Sequence, residues 1–302
     1  MAQEADAQAL ESLLQRKRKR EQSLRSLRRS VRRLPIYILL MAGTVILGLP
    51  LAWLVSSSLK SNAMIFAYPP QWIPNPVEWG NFATVWQKVP FGLYSLNTLH
   101  IVFFAVLGGT LSSAFVAFGF ARLRFPGRDV LFLILLGTLM IPFHVTLIPT
   151  FVLYKFLKWL DTFKPFTVVP WFGGSAFSIF LIRQFYMTLP LELDDAARID
   201  GCNSFDIFWR IILPQSKPAL GVIAIFGFMG NWNGFILPLI FLQSPEKYPL
   251  ALGINSLRSA QFNTKWHLLM AASLMMCLPC IILYFLAQRY FVQGIVISGV
   301  EK

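Results

Sequence analysis

Six stretches of this chain hold no Asp, Glu, Lys or Arg: residues 34–59, 89–121, 130–154, 165–182, 218–245 and 266–288, none shorter than 18 residues. An α-helix needs roughly 20 apolar residues to cross a bilayer core. Over the 302 residues only 14% are charged and 56% are hydrophobic, with a mean hydropathy of +0.58; soluble domains carry about 25% charged residues. Membrane β-barrels read as short alternating segments instead. The sequence therefore predicts an all-α integral membrane protein with six transmembrane helices.

Lys and Arg collect on the cytoplasmic side of a membrane. With the N-terminus inside, the inner segments 1–33, 122–129, 183–217 and 289–302 carry 19 basic residues, against 8 on the outer segments 59–88, 155–164 and 246–265. Without the tail the bias is 9 to 8, so residues 1–33 set the topology and both termini are expected in the cytoplasm. That tail holds ten basic and four acidic side chains of a chain whose net charge is +13. Its position beside the first membrane helix makes anionic lipid, rather than nucleic acid, the expected partner. Leu10, Leu13, Leu14, Leu24, Leu27, Val31 and Leu34 recur at helical spacing. A basic amphipathic helix on the cytoplasmic face and a solvated topogenic tail both fit.

After the tail (1–33) and the first transmembrane helix (34–58) comes an extracytoplasmic segment, 59–92, rich in Pro and Trp (Pro69, Pro70, Trp72, Pro74, Pro76, Trp79 and Trp86). It reads either as a compact cap facing a soluble partner or as an interfacial connector. A core transmembrane domain follows over 93–292, then a short cytoplasmic tail, 293–302. Pro142 and Pro149, Pro170 with Gly173-Gly174, Pro238 and Pro279 predict breaks in four consecutive helices. Irregular backbone at membrane depth is tolerated where it is buried in protein or lines a watery cavity, which favours a transport path. Cys277 and Cys280 form a C-x-x-C in the last helix, but no further ligands accompany them, so ordinary packing is expected and no metal site.

The segment 183–217 differs in kind, with five of the fourteen acidic residues: Glu192, Asp194, Asp195, Asp200 and Asp206. Pro190 offers a helix start, and the acids that follow suit a first turn. Ala196, Ala197 and Arg198 propagate helix, and Gly201 suits a stop with positive φ. Asn203 or Ser204 can cap a second helix through Phe205, Ile207, Phe208, Trp209, Ile211 and Ile212, which Pro214 and Pro218 end. The expected object is a cytoplasmic knob with acids and small residues at its tip and aromatics at its base. An anionic leaflet repels such acids, so a protein socket is preferred to lipid.

Asp195-Ala196-Ala197, three residues, Gly201, nine residues, Ile211, one residue and Leu213-Pro214 resemble, without a gap, the E-A-A loop of type I ABC importer permeases. Asp195 stands where the pattern has Glu, keeping the charge and shortening the reach by one methylene; Cys202 replaces a usual small Ala. Gly230-Asn231-Trp232-Asn233 to Phe235 with Pro238-Leu239, the ending Gln288-Arg289-Tyr290-Phe291-Val292-Gln293-Gly294 through Gly299, and Asn97-Thr98 resemble the carbohydrate-uptake branch related to the maltose transporter. The resemblance covers about residues 35–302. It implies the type I ABC importer transmembrane fold, a homologous second permease, two ATPase subunits holding ATP and Mg2+, and an extracytoplasmic solute-binding protein. It also implies that Asp195, Ala196, Ala197, Arg198, Asp200, Gly201, Phe205, Ile211, Leu213 and Pro214 couple the permease to its ATPase, in the inner membrane of a prokaryote. The chain lacks the G-x-x-x-x-G-K-[ST] phosphate loop, so it is expected to have no catalytic site and no cofactor of its own.

His144, between Pro142 and Pro149, is a candidate substrate-pathway residue because ionisable groups at membrane depth are functional suspects. A buried histidine bonded to a carbonyl freed by the nearby proline is the other reading. Asn231, Trp232 and Asn233 offer the amides and aromatic face that a sugar uses, although helix packing explains the asparagines as well. Another solute, such as a glycerophosphodiester, polyol or amino acid, fits the same superfamily. An ion-coupled secondary transporter needs intramembrane carboxylates, which the six stretches lack. A membrane enzyme lacks a metal cluster or a nucleophile and base.

Overall fold

The computed structural model describes residues 34–258 and 264–297, with side chains as far as Gln288. The expected tail, 1–33, lies outside the described residues, as do the side chains of the Arg289–Gly294 ending and everything beyond Ile297.

In chain order the helices are α1 (Leu34–Ser58), the short α2 (Asn62–Ile65) and α3 (Gly80–Lys88), α4 (Phe91–Arg122), α5 (Arg128–Thr138) and α6 (Phe143–Phe156). Then come α7 (Lys164–Thr167), which passes through a 3-10 turn into α8 (Ala176–Thr188), and α9 (Glu192–Ile199). Last are α10 (Ser204–Gln215), α11 (Lys217–Trp232), α12 (Ile236–Phe241), α13 (Leu250–Ile254) and α14 (Trp266–Ile297). The described residues contain no strand. Four units are long and apolar enough to cross a membrane: α1, α4, the run Lys164–Thr188 and Trp266–Gln288 of α14. Two bent pairs, α5 with α6 at 97° and α10 with α11 at 77°, bring the number to six if each is one span.

The chain divides into two bodies at Ser56. The first contributes nearly all of α1, where Leu39, Ile46 and Leu47 are among many exposed apolar side chains. A helix apolar on every side belongs in a bilayer. In the second body α4 is central, packed by α8, α11 and the 3-10 turn Val169–Trp171. Its 32 residues span about 48 Å at 1.5 Å each, more than the bilayer core needs. Fully buried Ala114 and Ala117 let α8 approach closely, as small residues do between membrane helices. One core cluster joins α3, α4, α11, α13 and α14 through Val85, Tyr94, Trp232, Leu250 and Leu268. A second joins α4 and α8 to the following loop through Phe118, Ile182, Tyr186, Ala197, Ile207 and Ile212. Asn97 and Thr98 tie α4 to the 246–250 segment. Asn97 Nδ2 donates to the Glu246 and Tyr248 carbonyls at 2.8 and 3.1 Å, and Thr98 Oγ1 accepts from Leu250 N–H at 2.7 Å.

The Pro/Trp-rich segment is folded. Asn81 Nδ2 donates to the Ser58 and Lys60 carbonyls at 3.0 and 2.9 Å, and Asn62 Oδ1 accepts from Trp266 N–H at 2.9 Å. Breaks occur in three of the four helices expected to hold them, although α6 runs through Pro149 and α12 through Pro238. The third stretch breaks between Leu139 and Pro142, because proline lacks an N–H and pushes the residue before it out of helical backbone. The fourth breaks at Gly173-Gly174, with φ of +102° and +62°, and the fifth between Trp232 and Ile236. The sixth does not: α14 runs continuously through Pro279, a tolerated loss of one backbone hydrogen bond.

Candidate functional site: the loop after α8

Helix α8 continues to Thr188, past Arg183, where the loop was expected to begin. Arg183 does not reach for water. Its guanidinium lies 4.1 Å from the centre of the Phe132 ring, and its Nε donates to the Phe120 carbonyl at 3.3 Å. The excursion proper is residues 189–216.

Its first helix, α9, has Glu192, Asp194 and Asp195 in its first turn and Arg198 in its last, matching the macrodipole at both ends. Gly201, at φ +85°, stops it: Gly201 N–H bonds the Arg198 carbonyl at 3.1 Å and Cys202 N–H the Ala197 carbonyl at 2.9 Å. This is the paired closure of a Schellman turn. Asn203 then opens α10 with a capping box. Its Oδ1 accepts from Phe205 N–H at 2.9 Å and Asp206 N–H at 3.0 Å, while Asn203 N–H bonds Asp206 Oδ2 at 3.4 Å. The helix ends at Gln215, between the two prolines expected to end it, with Pro214 itself still inside. The preceding turn, Ile207–Ile212, widens to π geometry, and the chain stays helical to Gln215. Proline cannot bond the carbonyl four residues back and crowds it, and widening relieves that conflict. The chain bends only afterwards, at Ser216.

The residues of the expected site fall into two layers. Asp195, Ala196, Arg198, Asp200 and Gly201 are exposed, together with Ile199 at 87%. Ala197 is buried, while Ile211 and Leu213 are partly buried against the core cluster that includes Phe118 and Tyr186. Pro214 is exposed. The aromatics divide between tip and base instead of all lying at the base. Phe208 is buried, but Phe205 and Trp209 are exposed and stack in parallel, with centroids 6.3 Å apart and an interplanar angle of 4°.

The five acids are not all at the tip. Asp194 faces inward, its side chain 9% exposed, and Arg122 Nη1 lies 3.7 Å from its Oδ2. Arg122 Nη2 also donates to the Tyr186 and Leu189 carbonyls, both at 2.9 Å. Burial pushes the Asp194 carboxyl above its ordinary value, against the pull of Arg122 and Arg198. Sequence reasoning passed over Arg122, although a cation closing the longest charge-free stretch was the available signal.

The pathway candidates do not converge. His144 is exposed on α6 beside Phe143, with ring centroids 5.3 Å apart, so the buried reading does not hold. Trp232 is 3% exposed, stacked on Phe228 with its Nε1 donating to the Met276 carbonyl at 3.0 Å: it is a core residue, because the indole found a partner on α14. Asn233 is exposed and bonds back to the Met229 carbonyl at 2.9 Å. Asn231 alone of these residues borders cavities, of about 280 and 260 Å³. The larger is also lined by Thr110, Ser175 and Ser178. Trp232→Phe should therefore cost about 1 kcal/mol of stability, the worth of one hydrogen bond, and leave the KM for uptake unchanged. A shifted KM would restore a substrate role for the indole. Among the described residues no cluster of His, Cys, Asp and Glu could hold a metal, and Cys277 and Cys280 are free thiols.

Residues 109–297 match the family described as binding-protein-dependent transport system inner membrane component. The sn-glycerol-3-phosphate transport system permease protein UgpE of Yersinia pestis is 33% identical over 269 residues, 87% of this chain and 95% of that protein. The arabinooligosaccharides transport system permease protein AraQ of Bacillus subtilis is 35% identical over 205 residues, 68% of this chain and 72% of that protein. A solved chain of a bacterial ABC transporter involved in the import of the acidic polysaccharide alginate superposes with a TM-score of 0.72 at 25% identity. It covers 84% of this chain and 97% of the other.

Proposed function

The chain belongs to the family of binding-protein-dependent transport system inner membrane components, a multi-pass permease subunit of an ABC importer, and from that premise we propose that loop 189–216 is its contact with an ATPase and that its cargo is a carbohydrate. The solute-binding protein is the partner that the family description carries. A homologous second permease completing the pore, two ATPase subunits with their ATP and Mg2+, and cytoplasmic termini complete the reading.

The observation that carries it is the layering of the loop. A tip of Asp195, Ala196, Arg198, Asp200 and Gly201 is exposed, while Ala197, Ile207 and Ile212 root the loop in the core. Small side chains let a partner surface come close, and the flanking charges fix its register. Closure of the ATPases on ATP would displace α9 and turn the permease outward, and hydrolysis would reset it. For the cargo, Thr110, Ser175, Ser178 and Asn231 give the larger cavity hydroxyls and an amide, and neither cavity beside Asn231 is lined by a charged residue. That suits a neutral polyol surface. The relation to the glycerol-3-phosphate permease supports a phosphorylated cargo as the second reading, although such a cargo would find no cation in these cavities.

The test is co-purification of the tagged chain from its native membrane, with partners identified by mass. The wild type should bring down a protein bearing a G-x-x-x-x-G-K-[ST] loop. Gly201→Trp and Asp195→Arg should lower its recovery at least tenfold while the second permease stays bound. Undiminished recovery with both substitutions combined refutes the docking reading.

A further inference from the structure

Only two of the eight residues of α9 are buried, Asp194 and Ala197. Besides the Ala197 methyl only Leu193 is even partly buried on α9, and apolar contact sets no direction, so the directional tie between this helix and the rest of the molecule is the Asp194 carboxylate. Its partner, Arg122, is the last residue of α4, and its side chain is 2% exposed. The same guanidinium holds the Tyr186 and Leu189 carbonyls. These lie at the end of α8, where carbonyls lack the usual helical partner four residues on, although the Tyr186 carbonyl also accepts from Leu189 N–H at 3.2 Å. One side chain thus touches α4, α8 and α9.

The ion pair is incompletely engaged. Arg122 Nη1 and Asp194 Oδ2 are 3.7 Å apart, too far for a hydrogen bond, and Arg122 Nε and Asp194 Oδ1 have no hydrogen-bond partner among the described residues. A charge-assisted bond forms at roughly 2.8 Å, so an inward movement of α9 by about 1 Å would close the gap between Nη1 and Oδ2. Burial makes the pair stiff once formed, because either charge without the other is costly in a low-dielectric interior.

We propose that Arg122 and Asp194 are positioning residues for energy coupling: the pair is a joint that closes when α9 is pushed from the cytoplasm and carries the displacement into α4 and α8. The proposal rests on the reading of loop 189–216 as the ATPase contact and goes beyond it, since neither residue lies on the docking tip. Both helices line the larger cavity beside Asn231 through Ala105, Val106, Gly109, Thr110 and Ser178. A push delivered at Asp194 therefore ends where cargo would pass.

The experiment uses the complete reconstituted importer and measures solute taken up per ATP hydrolysed. Asp194→Asn removes the charge at constant shape, and the ratio should fall at least tenfold with the ATPase still bound. Asp194→Glu keeps the charge and reaches one methylene further, and it should stay within about twofold of the wild type. A wild-type ratio for Asp194→Asn, or a Glu variant as poor as the Asn variant, overturns the joint. Should Asp194→Asn fail to insert, Arg122→Lys decides, since lysine keeps the charge but loses the planar fork that spreads its donors over two carbonyls and a carboxylate. An assembled complex with a lowered ratio supports the proposal, whereas a normal ratio, or failure of both variants to insert, overturns it. Gly201→Trp run beside these separates the two ideas. If that variant keeps its ATPase, the docking reading fails; if it loses the ATPase while Asp194→Asn couples normally, only the joint fails.

Discussion

Gly174→Ala is expected to destabilise the permease by about 3–4 kcal/mol, the sum of a left-handed backbone penalty and overpacking. Gly174 sits at φ +62°, where a side chain is strained whatever the space around it. Here there is no space either. An added Cβ would overlap the Ser113 hydroxyl and lie 2.6 Å from the Gly109 carbonyl oxygen. The serine could turn away, but the carbonyl belongs to the backbone of α4. Relief therefore requires α8 and α4 to part at the break that borders the larger cavity. Gly127→Ala is the control, because φ there is +78° and nothing lies within 4 Å of the new atom. It should cost about 1 kcal/mol from backbone strain alone. Thermal unfolding in detergent should show a fall on the order of 10 °C for the first variant and a few degrees for the second. Equal shifts would mean that the α4–α8 approach is loose.

The contrast between those glycines bears on what could be read before the fold was seen. The bilayer makes one demand of a helix, an uncharged run of sufficient length, so the six stretches declare themselves. Turn chemistry is equally local. Gly201 as a positive-φ stop, Asn203 as a cap and Pro142 as a break need only their neighbours. What sequence could not supply were pairings across the chain. Arg183 looked like the end of a span, yet its charge is spent on the Phe132 ring and the Phe120 carbonyl, so α8 runs on. Asp194 looked like one more surface acid until Arg122 was found beneath it. Trp232 carried the right chemistry for a sugar, but Met276 on α14 holds its N–H. In each case a polar group faced a distant partner that its own stretch of sequence does not name.

Asp161→Asn is expected to cost about 2–3 kcal/mol near neutral pH, the upper part of the range for hydrogen bonds to a charged group. Asp161 lies between α6 and α7 with φ +55°, a conformation that Asp and Asn both accept, so the substitution leaves the backbone unstrained and isolates the charge. Its carboxylate accepts from Gln243 N–H at 3.0 Å, Ser244 N–H at 2.9 Å, the Ser244 hydroxyl at 2.6 Å and the Lys247 ammonium at 2.8 Å. The Phe241 carbonyl receives Asp161 N–H at 2.7 Å. An entire turn after α12 is therefore organised around one anion. Burial opposes the charged form, but Lys247, Ser244 and the two backbone N–H groups outweigh it and hold the carboxyl well below the ordinary carboxylate range. A carboxyl depressed in the folded state contributes its full stability above the unfolded value, about 3.9, and loses it as pH falls toward the folded value. Asparagine does not titrate, so the gap between wild type and variant should be widest near pH 7 and narrow steadily below about pH 4. Denaturation of both proteins across that range reads the gap directly, with titrations elsewhere cancelling in the difference. A gap that stays constant down to pH 3 would show that the turn is held by shape and not by the Asp161 charge. Lys247→Met should then leave stability nearly unchanged, whereas an anion-centred turn loses a large share of the same energy with its cation.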